Sequence, residues 1–293
     1  MDNYVLRGAD KGLNVRIFAA KTTNMVEKAR KIHNTTPLAS AALGRSLTAG
    51  AIMGLMLKGE KDKLTLQIKG DGPINSIVIV ANSKGITKGY VSNPSVDLPL
   101  NEKGKLDVSK AVGEGKLTVI KDLNLKEPYV GKSNLVNGEI AEDLTAYFTY
   151  SEQQPSAVAL GVLVDRDYSI MASGGFILQV MPNAEDEVLS TIENNLRNVS
   201  NISKLISIGK EPEDIINMVL DGLDPIIFEK KEIDYKCDCS KDRLEKALIA
   251  IGEKDLREIL EEDKKAELTC HFCNTSYTFD EKDLKDILKR VKA

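Results

Sequence analysis

All four cysteines of this 293-residue chain lie within 37 residues near its end, as Cys237-x-Cys239 and, 30 residues later, Cys270-x-x-Cys273. Two short loops presenting two thiolates each are a common way to close a tetrahedral zinc site with bonds of about 2.3 Å. The second pair has ordinary zinc-knuckle spacing. The first is tighter than the usual gap of about two to four residues, so the backbone must bend to bring Cys237 and Cys239 onto one metal. The segment around them, residues 232–293, is small enough to have a thin core, and metal or disulfides often supply what such a lobe lacks.

Four thiolates around one Zn²⁺ carry a formal charge of about −2, and the metal keeps the sulfurs deprotonated at neutral pH. An oxidant therefore meets thiolates, while zinc itself does not change oxidation state. Oxidising either pair removes two ligands. Because structural zinc contributes on the order of 10 kcal/mol of folding free energy, its loss should loosen the lobe and turn a chemical signal into a folding signal. Other readings stay open on the residues alone. An iron–sulfur cluster also uses four cysteines, but ferredoxin spacings group three ligands together. A thiol oxidoreductase places its Cys-x-x-Cys at the start of a helix after a strand, whereas TCHFCNTSYTF reads as a turn between strands. A constitutive zinc-ribbon-like module docking a protein or RNA partner is a further possibility. His271 reads as a spectator beside four sufficient thiolates, and His33 as structural.

Composition narrows the field. With 42% hydrophobic and 29% charged residues the chain is globular. A net charge of −4 disfavours nucleic-acid binding, which needs a basic footprint. Residues 182–231 carry ten acidic and five basic side chains, which would repel phosphate. MDNYVLRGADKG has no signal-peptide pattern, and the longest nearly apolar run, Leu47 to Leu57, is 11 residues, too short to span a bilayer. A cytosolic protein without membrane partners is expected, in a compartment that keeps thiols reduced. No P-loop, G-x-S-x-G or H-E-x-x-H motif is present, and no enzymatic activity is expected.

Three parts are expected along the chain. Residues 1–181 mix strand and helix signals without regular βαβ alternation, which indicates an α+β layered domain with an antiparallel-type sheet. Thr36-Pro37 opens a helix through about Leu57, and Leu64, Leu66 and Ile68 alternate as in a half-buried strand. GDGP at Gly70 and NSKG at Asn82 mark turns of a meander. KLTVIKD reads as a strand, GEIAEDLTAYFTYSEQ as a helix, and AVALGVLVD with YSIMASGGFILQVM as a hairpin in which Gly174-Gly175 is a bulge or close-packing site. Residues 182–231 form an amphipathic helical linker whose Val188, Leu189, Ile192, Leu196 and Val199 share one face. In residues 232–293, Ser240 caps a helix ending near Gly252, a second helix covers Lys254 to Glu262, two short strands flank the Cys270-x-x-Cys273 turn, and Asp280 caps the last helix.

The Cys-x-Cys with Cys-x-x-Cys pattern, together with GDGP at Gly70, SEQQPSAVALGVLV from Ser151 and GGFILQVMPNA from Gly174, resembles the redox-regulated heat-shock chaperone family known as the 33 kDa chaperonin. The resemblance runs over nearly the whole chain. It implies a substrate-binding α+β domain, a helical linker over it and a zinc domain acting as redox sensor. By the same resemblance Cys237, Cys239, Cys270 and Cys273 are the zinc ligands of the reduced form. They pair as Cys237–Cys239 and Cys270–Cys273 on oxidation, zinc leaves, the linker opens and the protein dimerises. The implied activity is an ATP-independent holdase for unfolding client proteins. The client surface is expected on the linker face with Val188, Leu189, Ile192 and Leu196, because a holdase must expose apolar area.

Overall fold

The computed structural model describes residues 3–182, 184–199 and 201–291, and residues 1–2, 183, 200 and 292–293 lie outside them. The chain divides into two compact units, Met1–Lys236 and Cys237–Ala293. In the first, β1 (Tyr4–Ala9), β2 (Val15–Lys21), α1 (Thr23–His33) and α2 (Pro37–Leu55) are followed by a meander of β3 (Lys63–Gly70), β4 (Ser76–Asn82) and β5 (Ile86–Val91). Next come α3 (Val108–Val112), β6 (Gly115–Asp122), β7 (Tyr129–Asn134), α4 (Ala141–Tyr150), and a hairpin of β8 (Ser156–Val164) and β9 (Ile170–Val180). The helices α5 (Asp186–Leu196), α6 (Ile202–Ser207) and α7 (Pro212–Val219) lead to β10 (Ile226–Glu232) and β11 (Asp234–Tyr235).

Two sheets form, in the orders β10-β1-β2-β9-β8 and β11-β5-β4-β3-β6-β7. All pairings are antiparallel except β11 with β5. Strand alternation decides what each face covers. Val5, Phe18, Ala20 and Ile177 of the five-stranded sheet join α1, α2 and α4 and the inward residues of the other sheet, such as Leu66 and Ile79, in one core. Tyr4, Leu6, Ile17, Ala19, Phe176 and Leu178 point the other way, into a second core with α5, α6 and α7. The unit is therefore layered as sheet, helices, sheet, helices.

The middle layer depends on α2. The Thr36 hydroxyl accepts from the Ala39 amide at 3.3 Å, and Pro37 sits where no N–H is needed. By length and composition α2 is long and apolar enough to cross a membrane, so the 11-residue run understates the apolar segment; 89% of its span-length window is buried inside the protein, as befits a core helix covered on every side.

The outermost layer is the predicted linker. Ile192, Val199, Ile202, Ile206, Ile215, Ile216, Val219 and Leu220 are buried against the five-stranded sheet, each worth about 1.5–3 kcal/mol relative to exposure. Two glycines allow the close approach. A Cβ at Gly161 would stand 2.7 Å from the Ser203 amide nitrogen, and one at Gly174 would stand 2.4 Å from Ile206 Cδ1 and 2.3 Å from the Ala20 carbonyl. Gly174 is thus a close-packing site. Polar contacts add to the docking: the Tyr4 hydroxyl lies 3.0 Å from a Glu211 oxygen and 2.7 Å from a Glu213 oxygen, and Lys21 pairs with Glu211.

Sequence reasoning missed β1, β2, α1, α3 and β7. Residues 226–232, assigned to the end of the helical linker and the start of the cysteine segment, form a strand instead, because pairing with β1 overrides their weak local pattern. His33, expected to stand alone, is buried with Nε2 2.9 Å from the Tyr235 hydroxyl, which donates to the Gly89 carbonyl at 2.7 Å.

Glu27 ties α1 to the start of β9. It accepts from Arg30 Nε and Nη2, both at 2.8 Å, and from the Ile170 amide at 3.0 Å. The Arg30 hydrogen bond, aided by that amide and by Lys31 against the upward push of burial, holds its carboxyl down at about 2. The folded value lies below the unfolded one of about 4.3, so the stabilisation is present above about pH 5 and lost as pH falls toward 2. Glu27→Gln should cost on the order of 2 kcal/mol at neutral pH and much less near pH 2.5, measurable by urea unfolding at both pH values.

Candidate metal centre

The second unit is built from α8 (Lys241–Ile251), α9 (Glu253–Glu262), the hairpin β12 (Ala266–Thr269) and β13 (Ser276–Phe279), and α10 (Glu281–Val291). Ser240 caps α8, its hydroxyl accepting from the Arg243 amide at 3.2 Å. Asp280 caps α10 by accepting from the Asp283 amide at 2.9 Å, and Asp283 returns the contact to the Asp280 amide at 3.2 Å. Leu248, Leu256, Phe279, Leu284, Ile287 and Leu288 make up the buried core. These helices and strands are those expected from the sequence, and the core is small.

The cysteines sit at two places where the chain is locally constrained. Cys237 and Cys239 precede the Ser240 cap. Asp238 between them pairs with Arg243 at 2.6 Å, which directs the intervening side chain outward and leaves both sulfurs to converge. Cys270 and Cys273 occupy the β12–β13 turn. The Cys270 amide donates to the Thr275 carbonyl at 3.0 Å, while the Cys273 and Asn274 amides donate to the Cys270 carbonyl at 3.3 and 2.8 Å. Asn274 supplies the left-handed step, with φ of 53°.

All four sulfurs lie within 4.8 Å of one another. Two of the contacts run across the two loops: Cys237 to Cys270 at 3.8 Å and Cys239 to Cys273 at 3.2 Å. A tetrahedron with metal–sulfur bonds of about 2.3 Å has edges of about 3.8 Å. Two hydroxyls stand against the sulfurs, Tyr277 Oη 3.3 Å from Cys239 Sγ and Thr275 Oγ1 3.3 Å from Cys273 Sγ. Cys273 Sγ donates to the Thr275 hydroxyl, whereas the Tyr277 hydroxyl can donate to Cys239, as groups that orient a metal-bound thiolate do. The four sulfurs are close enough to hold one metal ion, a donor set of the kind zinc takes, and His271, exposed on the turn, is not in the cluster. Sequence reasoning missed Thr275 and Tyr277; their hydroxyls follow the Cys-x-x-Cys directly, but only the hairpin register brings Tyr277 back to Cys239.

The thiols differ in acidity. Burial pushes the Cys237 thiol up to about 12 and also raises Cys270. Burial opposes ionisation of Cys273 too, but the Thr275 hydroxyl and amide outweigh it and bring that thiol down to about 7. Metal binding requires thiolates and so releases protons.

The linker residues Val188, Leu189, Ile192 and Leu196 are placed elsewhere, in the first unit, where Ile192 is buried and the other three are half-buried in the second core of that unit.

These features define a two-unit α+β protein whose small C-terminal unit is organised around four convergent sulfurs able to hold a metal. The family model described as Hsp33 protein matches residues 3–280. Among curated proteins, the 33 kDa chaperonin of Alkaliphilus oremlandii is 53% identical over 292 residues, covering 99% of this chain and 98% of that one. The 33 kDa chaperonin of Clostridioides difficile is 53% identical over 292 residues, covering 99% and 100%. The crystal structure of the 33 kDa chaperonin of Thermotoga maritima superposes with a TM-score of 0.93 at 40% identity, covering both chains fully. The chain belongs to the Hsp33 family of chaperones.

Zinc affinity should fall with decreasing pH, more steeply below about pH 7, where Cys273 also carries a proton to displace. Competition with a chromophoric chelator across that range measures this; a flat profile would contradict ligation by these thiols.

Proposed function

We propose that the chain is a redox-regulated, ATP-independent holdase whose reduced, zinc-bound form is inactive and whose oxidised form binds unfolding proteins. Cys237, Cys239, Cys270 and Cys273 are the ligands, and a bound zinc ion supplies the attraction that keeps four adjacent sulfurs anionic. The observation that carries the reading is the crossing of the sulfur contacts between two loops. Through Cys237–Cys270 and Cys239–Cys273 the cluster closes the loop before α8 onto the β12–β13 turn. Disulfides between sequence neighbours, Cys237 with Cys239 and Cys270 with Cys273, consume all four ligands and leave no sulfur tie between loop and turn. Counted from the thiols, each disulfide gives two electrons and two protons to one peroxide, which becomes two waters.

The lobe then depends on its small core and should unfold. Cys237 follows β11 after one residue, Lys236, and β10 and β11 follow the α5–α7 cover, so loss of the lobe removes a folded anchor from the end of that segment. Release of α5–α7 would expose Val188, Leu189, Ile192 and Leu196 and the sheet face beneath, the apolar area that captures clients. The acidic linker disfavours acidic clients. We assign the protein to the reducing cytoplasm, with no catalytic activity and neither nucleic acid nor membrane as partner, and the oxidised form as a homodimer.

Treatment with peroxide and heat should make the protein suppress light scattering by a heat-unfolded enzyme, with two disulfides formed and one zinc lost per chain. Reduction with zinc present should abolish the suppression. Equal scattering before and after oxidation would refute the reading, as would disulfides joining Cys237 to Cys270, which would staple the lobe shut.

Gly161→Ala tests the cover separately. The added methyl meets Ser203 of α6 and should weaken docking by about 1–3 kcal/mol. The reduced variant is expected to keep its zinc yet suppress aggregation partially; full inactivity with α5–α7 shown to be displaced would count against the linker face as client surface.

A further inference from the structure

The five-stranded sheet breaks its own pattern at one end. Along β2 the residues sharing the inter-sheet face are Ala20, Phe18 and Arg16; along β1 they are Val5 and Arg7, and along β9 Ile177 is followed on that face by Gln179. Two guanidiniums and an amide thus occupy positions whose neighbours on each strand are core residues. Such a departure from binary patterning points to function. They do not face packed side chains: Arg7 and Arg16 line a cavity of about 680 Å³ bounded by β1, β2 and β10, the end of α2 and the β4–β5 turn. That volume falls in the range of small-molecule sites, about 300–1,000 Å³.

The cavity is basic in an acidic chain. Arg7, Arg16, Lys58, Lys84 and Lys231 line it against Glu60 and Glu229, a formal charge of +3 where the whole protein carries −4. Glu229 is engaged by Lys231 at 2.8 Å. Among the described residues neither arginine has a carboxylate partner. Arg16 is instead fixed by a neutral group: its Nε and Nη2 donate to Gln179 Oε1 at 3.0 and 2.7 Å, and Gln179 is itself 1% exposed. This holds the guanidinium plane still and leaves its remaining donors available, with the Glu152 carboxylate acting on it only through space. Burial first, and then repulsion by Arg7, lower the Arg16 pKa, the field expected of a site that gains by receiving an anion. Arg7 lies over the Phe228 ring at 5.7 Å, and the Ser83 hydroxyl at the rim is buried without a partner. Val5, Phe18, Leu55, Met56 and Leu57 supply an apolar wall.

We propose that this cavity is a binding site for a multiply charged phosphate compound, with the arginines and lysines gripping the phosphates and the apolar wall receiving an organic body of nucleoside size. Bidentate guanidinium geometry suits phosphate oxygens, and a +3 surplus suits a di- or triphosphate better than a single carboxylate. The ligand is held rather than hydrolysed, since no phosphate-binding glycine loop is present. The proposal is independent of the redox reading.

Isothermal titration of the full reduced chain at low salt, with ADP, inorganic tripolyphosphate and adenosine as probes, tests it. ADP and tripolyphosphate should bind one per chain at sub-millimolar concentration, and adenosine should not. Arg7→Gln and Lys84→Gln, both at exposed positions, should each weaken binding, Arg7→Gln by about tenfold or more, with unchanged zinc content and circular dichroism. ADP binding more tightly than tripolyphosphate supports a nucleotide, and equal binding supports an inorganic polyphosphate chain. Absence of binding by both at millimolar concentration, or equal affinity in the variants, overturns the proposal.

Discussion

Four sulfurs drawn to one point are the constraint on which the C-terminal unit depends. Its six buried apolar side chains are few against the cost of ordering the backbone, roughly 1–2 kcal/mol per residue. The sulfur contacts do what the core cannot: they join a loop to a turn far along the chain. The joining atoms are also the most oxidisable ones in the protein, so on the function proposed above the stability of this unit would follow redox state in a way that a larger core would prevent.

The first unit poses the complementary problem. Apart from the exposed β10 and the end that carries Arg7 and Arg16, its five-stranded sheet is apolar on both faces. One face is covered permanently by the central helices, with α2 buried along nearly its full length, and the other by the short helices α5 to α7. The two covers differ in kind. The inner one lies between two sheets and cannot leave without unfolding the unit. The outer one is short helices whose other side is solvated, held by aliphatic contacts, two close-approach glycines and a few carboxylate contacts to Tyr4 and Lys21. A segment of that kind is the part of a fold that opens at lowest cost.

Much of this was visible in the sequence wherever a local rule had one solution. Thr36-Pro37 could only open a helix, the alternation of Leu64, Leu66 and Ile68 could only half-bury a strand, and Ser240 and Asp280 stood where caps belong. The cysteine spacing disclosed the cluster. What escaped depends on partners remote in sequence. Residues 226–232 begin with the β-formers Ile226, Ile227 and Phe228 but do not alternate, and they are recruited by β1. Tyr277 meets Cys239 only through hairpin register, and His33 finds Tyr235 some two hundred residues away. Arg7 and Arg16 carry no signal in the sequence, and only the pairing of β1 with β2 places them on the same sheet face as core residues.

The most direct measurement is amide hydrogen exchange read by mass spectrometry on the reduced zinc-bound chain and on the peroxide-treated chain. The account requires protection to vanish across residues 237–291 and to fall across 186–219, while the strands of both sheets and α2 stay protected. Persistence of slow exchange in 237–291 after the metal has gone would contradict it, because the lobe would then stand without the sulfur tie.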